Sequence, residues 1–289
     1  MQFLIFAISY PIIWILSLLP MRVLYILSDF LYILFFYLIG YRKKVVLENL
    51  KLAFPTKDLS ELKTIQKDFF KHFTDIFVES IKAFSITKKT LLKRYKFTNP
   101  ELINELYDKG RSIAFMGAHQ ANWEWSISIP LYVKIKCFGA YTRIGNTYFD
   151  KTVKKSRTKF GFIGYKTSET IKSITRNFDE GIQGLYLLLS DQSPQIHKTH
   201  YWREFMGIKV PIHTGAEMIA KKFDMAVVNY SVKKLKRGYF EVTFETITEH
   251  PNDFKDYEIT DKYLAITERN INSQPAYYLW SHKRSKEWL

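Results

Sequence analysis

Between residues 3 and 39 the chain carries only two charged side chains, Arg22 and Asp29, and nothing else in it narrows the possible folds as much. Residues 3–19 hold no charge, are interrupted only by Ser9, Tyr10 and Ser17, and end at Pro20. A second apolar stretch, residues 23–39, is closed by Gly40, Arg42, Lys43 and Lys44. Each run sits at the lower edge of the length needed to cross a bilayer. A secretory signal is a poor fit, because no basic residue precedes the first run and no small-x-small cleavage pattern follows it. Two readings remain. The stretches could be a pair of core helices buried on all sides, as their lack of a polar face allows. Alternatively, residues 3–19 insert into a membrane, and residues 23–39 lie at its interface or pair with the first helix. We adopt the second, with residues 1–44 as a membrane anchor. The basic cluster on its C-terminal side then puts the body of the protein in the cytoplasm.

Residues 45–85 read as helix. Val45, Leu47, Leu50 and Leu52 lead to Phe54-Pro55, where a helix should stop, because proline disfavours helix in the residue before it. From Asp58, apolar residues return at Leu62, Ile65, Phe69, Phe73, Ile76, Phe77 and Ile81, a helical period. Residues 110–125, GRSIAFMGAHQANWEW, change the pattern: Ile113 to Met116 have the length of a strand, and Gly117 and Ala118 hand over to His119. A strand that opens through glycine onto histidine is a common way to place a reactive group at a sheet's edge. Glu124 follows five residues later. In one regular helix the two would lie roughly 140° apart. They meet only if His119 is on a loop and Glu124 on the helix after it. The carboxylate would then fix the imidazole tautomer and leave the other nitrogen as a base. Against this stands the plain alternative that the histidine is structural or solvated.

A strand over residues 133–138 is expected from the alternation of Val133, Ile135 and Cys137 with Lys134 and Lys136. Arg143 and Asn146 follow it, where α/β proteins place ligand groups. Residues 168–180 read as a helix ended by Gly181. The unbroken apolar run at 184–190 reads as a strand buried on both faces, delivering Asp191 and Gln192. His197 and His200 are three apart, but with no third ligand in view a metal site is not expected. Residues 205–223 read as a loop, a short apolar stretch and a helix. Residues 226–232 and 239–247 read as a hairpin turning at Gly238, 261–272 as a helix, and Pro275 as the start of another.

Composition then narrows the partners. A formal net charge of +15 favours an anionic one: nucleic acid, acidic headgroups or an acidic carrier protein. The 17% aromatic content suits a membrane interface. Cys137 is the one cysteine, so an internal disulfide is impossible and a cysteine zinc site is not expected.

GAHQANWE, residues 117–124, closely resembles the signature of the lipid A biosynthesis acyltransferases, the lauroyl and myristoyl transferases of the lysophospholipid acyltransferase superfamily. The likeness continues in ENLKLAFP (48–55) with Glu79 farther on, in Arg143-x-x-Asn146, in KSRTKFG (155–161), in Asp191-Gln192, in the Phe-Gly block after Phe205 and in PAYYLWSHKR (275–284). Ala276 and Lys283 stand there where relatives more often have Glu and Arg. The resemblance implies an α/β layered fold: a mixed sheet with flanking helices in an acyltransferase domain, residues 45–289, behind the N-terminal anchor. It implies transfer of a fatty acyl chain from an acyl carrier protein, or acyl-CoA, to a hydroxyl of a lipid acceptor at the bacterial inner membrane. A lipid A precursor is the obvious acceptor. His119 would be the base and Glu124 its orienting carboxylate, with Asn122, Arg143, Asn146, Asp191 and Gln192 as substrate-binding candidates. Neither cofactor nor metal is implied. Two rivals stand: the same chemistry on an aminolipid, lysophospholipid or pigment alcohol, and a basic, aromatic-rich binder of nucleic acid or membrane. The second leaves the ordered blocks unexplained and has no nucleic-acid-binding signature.

Overall fold

The computed structural model describes residues 1–194, 197 and 199–282. Its centre is the strand β2 (Ile113–Gly117), every residue of which is buried. Ile113 and Phe115 point into one apolar cluster and Ala114 and Met116 into another, on opposite sides of the sheet. Burial on both faces explains why this strand reads as an unbroken apolar run. Beside it lie β5 (Gly184–Leu189) and β8 (Ala226–Lys236), both parallel to it. Beyond β5 come β3 (Lys136–Tyr141) and β4 (Ile163–Lys166). Beyond β8 come β9 (Tyr239–Thr248) and β1 (Tyr95–Phe97). Only the β8–β9 pair is antiparallel in this seven-stranded mixed sheet, so the fold is the expected α/β arrangement of a mixed sheet flanked by helices.

Helices cover both faces: α3 (Lys43–Ala53), α4 (Leu59–Ala83), α5 (Lys88–Arg94), α6 (Glu101–Asp108), α7 (Thr147–Arg157), α8 (Thr170–Asp179), α9 (Gly215–Lys222) and α10 (Glu258–Ser273). The start of α4 is set by a capping box, in which Asp58 accepts from the Ser60 and Glu61 amides and Glu61 reaches back to the Asp58 amide. Of its periodic apolar positions Leu62, Phe69, Ile76 and Ile81 are buried, Ile65 and Phe73 are half-buried and Phe77 is exposed, while Phe70 joins the buried face.

The first two apolar runs form α1 (Gln2–Leu18) and α2 (Met21–Ile33), the latter continued by a π-helical turn, Leu34–Ile39. Contrary to expectation, the longer candidate span is the second. Met21–Ile39 is 19 residues with mean hydropathy 1.8, whereas α1 has 17. Neither stands apart from the body. Phe6 of α1 meets Phe149 of α7 at 5.2 Å between ring centroids, and Asn146 Nδ2 donates to the Gln2 carbonyl. Helix α2 packs along α4, where Ser28 Oγ donates to Asp75 and Tyr25 Oη to Glu79, both at 2.8 Å. Arg237, at the β8–β9 turn, forks onto Asp75 and Asp29 and closes the group. These partners explain the polar interruptions in an apolar run: a buried polar group is tolerated when it is bonded. The outer faces stay bare, with Ile5, Ile8, Ile12, Val23, Ile26, Phe30 and Ile33 exposed. The expected boundary at residue 44 falls inside α3.

Two elements differ from the sequence reading. β3 begins three residues later than expected and runs through Gly139, whose missing side chain makes room for the Phe162 ring, 2.8 Å from where a Cβ would stand. Part of the loop and apolar stretch expected after Phe205 is a hairpin, β6 (Trp202–Phe205) and β7 (Ile208–Pro211). It turns through Met206 and Gly207, both at positive φ. Methionine seldom adopts that conformation, and here Glu268 holds its amide at 2.5 Å. A contact that distant leaves no local mark.

Candidate active site

Strands β2, β5 and β3 all release their chains at the same edge of the sheet, where open α/β sheets carry their ligands. Gly117 ends β2 against the Tyr230 ring. A Cβ there would lie 2.0 Å from Tyr230 Cε1, so only glycine fits. His119 comes two residues later, in a turn tight enough to force Ala121 to φ 49°. Nearly every polar group of that turn is bonded. Residues 277–279 clamp it: Ala121 donates its amide to the Tyr277 carbonyl at 2.7 Å, and the Leu279 amide donates to the His119 carbonyl at 3.1 Å. Gln120 pairs with Tyr278 and donates to the Asn270 carbonyl. Backbone strain held from several sides is characteristic of functional sites.

Asp191, carried out on the end of β5, is 4% exposed and takes hold of His119 twice. The His119 amide donates to Oδ2 at 3.1 Å, and ring Nδ1 meets Oδ1 at 2.7 Å. The expected His119–Glu124 bond is therefore replaced by one to Asp191. Glu124 does lie where expected, in the first turn of the helix after the loop, a 3₁₀ helix Trp123–Leu131. Its carboxylate instead accepts from Arg157 Nη2 at 3.1 and 3.2 Å. A half-exposed pair of this kind contributes only about 0–1 kcal/mol to stability, so the fold gives little reason to keep it. The Trp123 ring sits edge-on to the His119 ring at 5.3 Å.

His119, Glu124 and Arg157 line one cavity of about 310 Å³, between the 3₁₀ helix, β3 and α7. Ile127, Phe162, Leu187 and Leu189 give it an apolar wall. Arg143 lies on the loop between two lining residues, Thr142 and Ile144; it is exposed, and among the described residues it makes no hydrogen bond or ion pair. Three other candidates fall elsewhere. Asn122 is wholly buried: its Nδ2 donates to Glu79 at 2.6 Å and its Oδ1 caps the 3₁₀ helix, so both ends of its amide hold the loop. Asn146 caps α7 through the Tyr148 and Phe149 amides. Gln192 is half-buried and has no hydrogen bond among the described residues. Lys283 lies outside the described residues.

One residue at the site was not singled out from the sequence, and another was named there only within the family likeness. Arg157 belongs to the block at 155–161, whose resemblance was the available signal. Glu79 is buried beneath the site, holding Tyr25, Asn122 and, through its carbonyl, the Trp125 indole. Burial, reinforced by the Asp75 charge, pushes its carboxyl up to about 7.

Comparison with known families gives one match: a family model described as bacterial lipid A biosynthesis acyltransferase covers residues 2–287. No curated protein matches the chain.

Proposed function

Because this chain belongs to the bacterial lipid A biosynthesis acyltransferase family, we propose that it transfers a fatty acyl group from acyl carrier protein to a hydroxyl of a lipid A precursor at the cytoplasmic face of the inner membrane. The observation that carries the mechanism is the His119–Asp191 pair at the mouth of an apolar cavity. Asp191 accepts the Nδ1 proton and fixes the tautomer, which assigns proton transfer to Nε2. Nε2 takes the acceptor's hydroxyl proton as its oxygen attacks the thioester carbonyl. The new C–O bond forms, the C–S bond breaks, and the imidazolium returns its proton to the departing thiolate. No covalent acyl-enzyme is required. The acyl chain lies against Ile127, Phe162, Leu187 and Leu189. Arg157, steadied by Glu124, and Arg143 face the phosphates of the acceptor or of the carrier's phosphopantetheine.

The purified full-length chain, given myristoyl- or lauroyl-carrier protein and a lipid A precursor, should add one acyl mass to the lipid by mass spectrometry. His119→Ala should lower turnover by a factor on the order of 10² to 10⁴. Acylation of a lysophospholipid or aminolipid in place of the precursor would move the acceptor and keep the chemistry. Near-normal turnover in His119→Ala would remove the mechanism.

A further inference from the structure

At the far end of α2 from the active site, four lysines surround a second cavity of about 540 Å³. The chain turns sharply there, with Gly40 at φ 67° and Arg42 at φ 48°, so Lys43 and Lys44 fold back beside Phe36 and Tyr37. Gln66 fixes this return by donating to the Lys43 carbonyl at 2.6 Å. Lys43 Nζ stands 3.9 Å from the Phe36 ring centroid. Lys63 and Lys67, one turn apart on α4, complete the ring from the other side. Neighbouring lysines of the same helix region are neutralised, Lys57 by Glu61 and Lys71 by Asp68. None of the four around the cavity has a carboxylate partner among the described residues. Clustered ammonium groups left unpaired repel one another, and an anion bound between them relieves that repulsion.

The cavity's lip indicates which anion. Tyr37, Leu38 and Ile39 are 58%, 75% and 60% exposed and carry the bare apolar ridge of α1 and α2 up to the lysines. A ligand that fits needs a phosphate for the ammonium groups and a hydrocarbon body for the ridge. We propose that this cavity binds the headgroup phosphate of an anionic membrane phospholipid. The site is distinct from the acyl-transfer centre: Lys67 and Glu79 are 12 residues apart on α4, roughly 18 Å along the helix. The proposal rests on the reading of residues 2–39 as membrane-facing.

The test is flotation of the full chain with vesicles of phosphatidylcholine alone and of phosphatidylcholine mixed with phosphatidylglycerol. Two triple variants are compared. One is Lys43→Gln/Lys63→Gln/Lys67→Gln, in the cavity. The other is Arg22→Gln/Lys51→Gln/Lys71→Gln, which removes equal formal charge from α2, α3 and α4 outside it. The cavity triple should lose roughly tenfold more partition onto the phosphatidylglycerol vesicles than the control, since a diffuse surface field would penalise both alike. Dihexanoyl phosphatidylglycerol below its micelle concentration should protect Lys63 and Lys67 of the wild-type chain from acetylation, and inorganic phosphate should not. Equal losses in the two triples would overturn the proposal while the membrane-facing reading stands. Equal protection by inorganic phosphate would overturn it in favour of a free-phosphate site. Loss of acyl carrier protein binding with unchanged flotation would overturn it in favour of a protein-docking face. A wild-type chain that floats with neither vesicle brings down the membrane reading as well.

Discussion

His119 is held by a carboxylate 72 residues away, and that distance marks where the sequence stops being informative. The residues around the histidine were legible because strand, glycine and turn follow one another locally. Its partner was not, because Asp191 reaches it only through the pairing of β5 with β2, a fact of the sheet with no trace in spacing. Glu124 looked like the partner for being near in the chain, yet its bond goes to Arg157. The two carboxylates therefore separate by kinetics. Asp191→Asn presents an amide donor to one of the two His119 N–H groups and upsets the tautomer, so kcat should fall by a factor on the order of 10² to 10⁴ with the fold intact. Glu124→Gln frees Arg157 and should act mainly on KM. Steady-state kinetics of the two variants decide between these roles; a collapse of kcat in Glu124→Gln with a mild Asp191→Asn would return the orienting function to Glu124.

Among the elements, α4 shows how a helix can be read correctly and still conceal its purpose. Its period was plain in the sequence, whereas nothing in the spacing marked Asp75 and Glu79 as buried. Their partners come from α2, the 3₁₀ helix loop and the β8–β9 turn, so Glu79 joins the apolar N-terminal helices to the His119 turn. The same remoteness hid the β6–β7 hairpin, whose methionine turn depends on Glu268. The pH dependence follows from Glu79. Its carboxyl is raised in the folded protein from 4.5 to about 7, so the folded state binds this proton more tightly than the unfolded chain does. The favourable contribution is fully present below about pH 4.5 and is lost as pH rises through about 7. Glu79→Gln keeps an acceptor for Asn122 and removes the titration. Thermal melts from pH 4.5 to 7 should therefore show a smaller decline with pH in the variant than in the wild type; parallel curves would mean that Glu79 is ionised throughout.

On the scale of the whole molecule, the α/β class and the apolar start were legible in the sequence, but how the two fit together was not. The N-terminal helices rest on α4 and α7 with one side and leave the other bare, an arrangement that hydropathy alone cannot distinguish from a free span. Ile12 and Phe30 lie on the bare side, 55% and 63% exposed. Changing both to Glu should alter stability by no more than about 0.5 kcal/mol per site, as for other surface substitutions. The same change should shift the protein from the membrane pellet to the supernatant. Wild-type protein should stay in the pellet at high salt, which screens attraction by charge alone. Continued sedimentation of the double variant would place the membrane contact elsewhere. The clamp of residues 277–279 on the His119 turn has a consequence in time. The apolar helices are synthesised well before the clamp, which follows them by more than 200 residues. Until residues 277–279 emerge, the His119 turn lacks the two backbone bonds that brace it, so the N-terminal helices can pack or partition before that turn is fixed.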